Sequence, residues 1–106
     1  MTRRIEALRA QLDGPRDSAL LRYSLGSALL ETGDDAAAIQ HLRAAIDFDA
    51  SYSAAWKLLG KACLQAGDTD AAADAWRHGV GIAESRGDRQ AAQEMRVFLK
   101  RLESMR

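Results

Sequence analysis

Apolar positions recur at helical steps along most of the chain. Within residues 53–66, Trp56, Leu59, Gly60 and Cys63 fall on one face. Gly67-Asp68 then stops that helix. The glycine suits a left-handed C-terminal cap and the aspartate suits the start of the next helix. Residues 69–84 predict a second helix with Ala72, Trp76 and Gly79 on its inner stripe. So short a turn forces the two helices antiparallel. Residues 19–52 repeat the plan, with Leu25, Gly26 and Leu29, then Gly33-Asp34, then Ala38, Leu42 and Ala45.

The two hairpins are copies. A shift of 34 residues lays 19–52 over 53–86 with ten identities: Leu25/Leu59, Gly26/Gly60, Ala28/Ala62, Leu30/Leu64, Gly33/Gly67, Asp34/Asp68, Ala37/Ala71, Ala38/Ala72, Arg43/Arg77 and Ser51/Ser85. A fixed period of this length marks stacked helical units. A mid-helix glycine costs about 1 kcal/mol relative to alanine. Its recurrence at Gly26 and Gly60 predicts close approach of the partner helix, opposite Ala38 and Ala72, with Leu42 and Trp76 filling space one turn on.

The ends differ from the middle. Residues 3–12 predict a helix with Ile5, Leu8 and Leu12 on one side, broken at Asp13-Gly14-Pro15. In register this is the second helix of a truncated unit, with Arg4 where a small residue belongs. Residues 88–104 predict a longer helix, started at Asp88. Ala91, Met95, Phe98, Leu102 and Met105 form its apolar stripe at steps of 4, 3, 4 and 3. Arg89, Glu94, Arg96, Lys100, Arg101 and Glu103 lie largely off that stripe and supply the wet face that the end helix of a stack needs. The same steps fit a short coiled-coil seam, so Met95, Phe98 and Leu102 are also candidates for self-association into a homodimer. The expected whole is an all-α chain of about six helices in one domain: a cap helix and turn (1–18), two repeats (19–52 and 53–86) and a C-terminal cap helix (87–106).

This pattern resembles the tetratricopeptide repeat (TPR). That family favours Trp, Leu, Gly and a bulky residue in its first helix, then Ala, an aromatic residue and Ala in its second. The second unit holds Trp56, Leu59, Gly60, Cys63, Ala72, Trp76 and Gly79 at these positions. The first holds Arg22, Leu25, Gly26, Leu29, Ala38, Leu42 and Ala45. Arg22 replaces the aromatic residue, Gly79 the last alanine, and Ala50 and Glu84 the closing proline. The match covers 68 of 106 residues. The resemblance implies a right-handed superhelical stack of antiparallel hairpins, acting as a protein- or peptide-binding adaptor or scaffold.

In such a stack the first helices line a concave groove. With the core face assigned as above, Lys57, Lys61 and Leu64 fall on a second stripe, matched in the first unit by Leu20, Tyr23, Ser27 and Leu30. The groove is then apolar on one helix and basic on the next, suited to a peptide or helix bearing acidic groups. Some family members grip a C-terminal carboxylate with Lys, Asn and Arg on these helices. Lys57 and Lys61 lie in that region, but the chain has no asparagine.

Charge and composition narrow the remaining classes. Fifteen basic side chains balance fifteen acidic ones, so no global attraction to nucleic acid or an anionic membrane is expected. Each end carries two excess positive charges, too few for a nucleic-acid patch. No apolar run approaches the ~18 residues of a membrane span. The charged start lacks the apolar stretch of a signal peptide. Cys63 is the single cysteine, so no intrachain disulfide forms. A cytoplasmic, non-enzymatic protein without cofactor is expected. Cys63 falls on a core stripe, away from His41 and His78. Asp34-Asp35, Asp47/Asp49 and Asp68/Asp70 fall at helix starts and turns, where aspartate caps, and lack the further ligands of a calcium loop. Gly79-Val80-Gly81 follows a helix and lacks the third glycine of a dinucleotide loop.

Overall fold

The computed structural model describes residues 2–105. Six helices follow one another: α1 (Thr2–Arg9), α2 (Ala19–Glu31), α3 (Asp35–Phe48), α4 (Ser53–Gln65), α5 (Thr69–Arg86) and α6 (Arg89–Ser104). The fold is an all-α helical repeat. The chain forms a slab of 40 × 29 × 18 Å, two helices thick. The backbone of α4 comes close to those of both α2 and α6, whereas the backbones of α3 and α5 stay apart. The layer of α2, α4 and α6 is therefore the inner, closed side, and the outer layer splays apart.

The turns carry the expected chemistry. Gly33, Gly67 and Gly87 adopt φ of +84°, +88° and +77°, a region that costs other residues a Cβ clash. The N–H of the following aspartate reaches back to a helix carbonyl: Asp34 to Leu29, Asp68 to Cys63 and Asp88 to Ala83. Each aspartate side chain then accepts from the amide three residues on, in Ala37, Ala71 and Ala91. One Gly-Asp step thus closes one helix and opens the next.

Three of the helix-interior glycines, Gly26, Gly60 and Gly79, admit side chains, and at Gly60 the register differs from the sequence expectation. Trp76 itself, not Ala72, covers Gly60. The missing Cβ lets the buried indole N–H donate to the Lys57 carbonyl at 3.0 Å. At Gly26 a Cβ would stand 2.7 Å from Leu42 Cγ and 3.3 Å from the Ala38 carbonyl. Gly79 is the corresponding contact for α6, because Met95 Sδ occupies the space its Cβ would take.

Helix α1 is shorter than its pattern predicts. It ends at Arg9, and three-residue turns carry the chain through Gln11 and Leu12. Asp17 accepts from the Asp13 N–H at 2.9 Å, holding Asp13 at φ 62°. Leu8 and Leu12 still pack on the cluster of Ile5, Leu25 and Leu29. Arg22, in the place of the family's aromatic residue, is gripped by Asp17 at 2.9 and 2.7 Å and approaches Asp13 at 3.5 Å. A polar clasp therefore does for the first hairpin what the Trp56 indole does for the second. Trp56 donates to the Ala50 carbonyl at 2.9 Å and stacks on His78 at 5.2 Å.

Candidate inner-face binding site

Two neighbouring helices of the inner layer, α2 and α4, present the seven groove residues expected from sequence, and the structure distributes them unevenly. Leu20 opens α2 and is 65% exposed. Tyr23 packs against Tyr52 at the start of α4, the rings tilted by 31° with centroids 5.2 Å apart. Ser27 is half-buried, and Leu30 packs on both core clusters. The tyrosine pair thus joins the first hairpin to the second. Burial pushes the Tyr52 phenol up, with Tyr23 and Asp49 adding to the effect.

The basic stripe of α4 faces α6 rather than α2. Lys57 pairs with Glu94 at 3.3 Å. Lys61 lies over the Phe98 ring, 5.0 Å from its centroid. Leu64 lines an open pocket with Trp76, Phe98, Arg101, Leu102 and Met105. The structure brings Lys61 and Leu64 together with α6, and Tyr23 together with Tyr52. It does not gather all seven residues into one cavity.

Helix α6 is fastened at its start. The Ser53 hydroxyl, buried at the head of α4, donates to Asp88 at 2.9 Å. Asp88 also accepts from the Ala91 N–H, and these bonds hold its carboxyl below the usual range. This bridge was invisible in the sequence, because Ser53 and Asp88 are 35 residues apart. Tyr52 and Arg101 were also missed. The first sits in a turn, and the second was read as part of the wet face. Met105 was legible as the last member of the α6 stripe.

The self-association stripe is largely spent inside the chain. Met95 is fully buried and Leu102 is 2% exposed. Phe98 keeps a surface while packing on Trp76 at 5.2 Å. The outward side of α6 carries Arg89, Gln90, Gln93, Arg96, Lys100 and Glu103, all exposed. A seam through Met95 and Leu102 would require α6 to leave α5.

The chemistry-bearing residues have local roles. Cys63 is buried in the core, and desolvation pushes its thiol up. His41 Nδ1 faces Arg22 Nη1 at 3.4 Å, an acceptor's position. Burial, and then Arg22 and Arg9, push its pKa down. Asp49 accepts from the Ser51 amide and hydroxyl in the turn before α4. Among the described residues no three His, Cys, Asp or Glu side chains stand together as a metal site, and no helix is long and apolar enough to cross a membrane.

A family model for the tetratricopeptide repeat matches residues 19–52. A TPR repeat-containing protein of Pseudomonas aeruginosa is 46% identical over 102 residues, covering 96% of this chain and 97% of that protein. The solution structure of a protein from Bordetella parapertussis is similar at a TM-score of 0.83 and 47% identity, over 99% of this chain and 89% of that one. A crystal structure of a tetratricopeptide repeat domain protein from Salinibacter ruber has a TM-score of 0.78 at 21% identity, covering 85% and 100% of the two chains. The last likeness is one of fold alone.

Proposed function

Since the chain belongs to the tetratricopeptide-repeat family, we propose that it is a protein- or peptide-binding module that takes its ligand on the inner face formed by α2, α4 and α6. Repeats of this family generally mediate contact between proteins and are typically non-enzymatic scaffolds. The observation that carries the reading is the uncovered apolar surface of the inner layer. Leu20 is 65% exposed, Tyr23 and Leu64 are half-buried, and Met105 is 71% exposed. Phe48, 53% exposed at the end of α3, stands apart from these with Arg22 over its ring, whereas apolar side chains left facing water along one layer mark a contact surface. The proposed groove comprises Leu20, Tyr23, Ser27, Leu30, Lys57, Lys61 and Leu64, with the whole chain as the functional unit and the cytoplasm as its compartment.

Selection from a displayed random-peptide library tests this. The selected peptides are expected to lose affinity for Tyr23→Ala and Lys61→Glu while both variants keep their helical signal. Binders indifferent to both changes, competing instead with substitutions on α3 and α5, would remove the inner face from the account.

A further inference from the structure

The pocket between α4 and α6 is built differently from the rest of the inner face. Its volume is about 240 Å³. Leu64, Trp76, Phe98 and Met105 supply an apolar lining, and Lys61 and Arg101 supply the polar rim. No acidic side chain lines it. Lys57, one turn before Lys61, has Glu94 as its carboxylate. Lys61 and Arg101 are exposed, and among the described residues neither has a carboxylate within ion-pair distance. Lys61 instead leans over the Phe98 ring. Two unpaired cations of one sign at the mouth of an apolar hole favour a ligand of opposite charge, and the surrounding low-dielectric wall strengthens that preference.

We infer that this pocket anchors an acidic peptide by one large apolar side chain, with carboxylates on either side of the anchor meeting Lys61 and Arg101. The occupant follows from charge complementarity and from the size of the hole. The pocket holds one side chain rather than a row of them. The inference rests on the inner-face reading and makes α6 a wall of the binding site as well as the lid of the core. The exposed Met105 closes one side of the pocket, and its unbranched side chain adapts to anchors of different shape.

The probe is a fluorescent synthetic peptide with a single phenylalanine flanked by aspartates. Two control peptides replace the phenylalanine with alanine or the aspartates with lysine. Anisotropy titrations against the intact chain are run beside Lys61→Glu, Arg101→Glu, their combination and Tyr23→Ala. The substituted cations are exposed, and circular dichroism verifies that each variant is folded. The expected result is binding that weakens tenfold or more in the double variant, falls with added salt, and is lost with either control peptide. Tyr23→Ala should weaken binding less than the double variant does, and exposed Gln40→Ala on α3, run beside them, should leave it unchanged. Amide and methyl spectra should shift at Leu64, Phe98 and Met105. Unchanged affinity in the double variant overturns the inference. Loss in Tyr23→Ala with no shift at Phe98 also overturns it, while leaving the inner face as the site. Shifts at Phe98 and Met105 on concentrating the protein alone would identify a second copy as occupant and overturn the acidic peptide. If neither this peptide nor any library peptide binds, both readings fall together.

Discussion

Gly60 and Gly81 both lie inside helices, and they differ in what faces them. A Cβ at Gly60 would collide with the Trp76 indole, whereas nothing lies within 4 Å of one at Gly81. Gly60→Ala is therefore expected to cost about 1–3 kcal/mol through overpacking, despite alanine's better helix propensity. Gly81→Ala should gain about 0.5–1 kcal/mol. Paired urea melts check both signs. His41 supplies a second prediction at this scale. Its native pKa lies below the ordinary 6.5. As pH falls below 6.5, the unfolded chain takes up a proton that the native chain still refuses, so stability drops. His41→Gln keeps an acceptor for Arg22 and removes the titration, so its stability should fall less across that window. The glycine pattern was legible because a helix-interior glycine repeated at one period has to mean contact. The identity of the contacting residue was not, since rotation about the helix axis places Trp76 rather than Ala72 over Gly60.

Helices in this chain are bounded by side chains that also hold neighbouring elements. Asp68 caps α5 through the Ala71 amide, and Asp68→Ala should cost about 1 kcal/mol. Asp88 caps α6 in the same way and also accepts from buried Ser53. Asp88→Ala should therefore destabilise more than Asp68→Ala, and the excess should vanish in a Ser53→Ala background. Chemical denaturation of the four variants reads this coupling. The caps themselves stood out in the sequence as Gly-Asp steps, because capping is local chemistry. The Ser53–Asp88 bridge and the Tyr23–Tyr52 contact were hidden, because each joins segments whose proximity exists only after the hairpins stack. The early end of α1 was hidden for a different reason, since its cause is local but does not show in the apolar pattern. The Asp17 clasp competes with the last turn that the Ile5, Leu8, Leu12 pattern would otherwise allow.

The core of the whole molecule is completed from its C-terminal end. Met95 and Leu102 are buried against the second hairpin, and Met95 packs on Gly79. Removing residues 88–106 would expose Trp76 and Gly79 together. The truncated chain is expected to lose cooperative unfolding and to bind hydrophobic dyes, and a thermal melt with a dye readout checks it. Repeat number, layer order and the apolar stripe of α6 could be read from periodicity alone. The division of the inner face into a tyrosine-joined part and a cation-rimmed pocket could not. That division depends on Lys57 and Lys61 turning toward α6, which Glu94 and Phe98 decide from another helix.

The central claim is that ligands are held by the inner layer. It is tested most directly by amide-resolved spectra of the labelled chain, recorded while the strongest library-selected peptide is titrated in. The expected result is a set of shifts confined to α2, α4 and α6 and including Lys61, Leu64 and Phe98. Shifts confined to α1, α3 and α5, with the inner layer unmoved at saturation, would contradict the account.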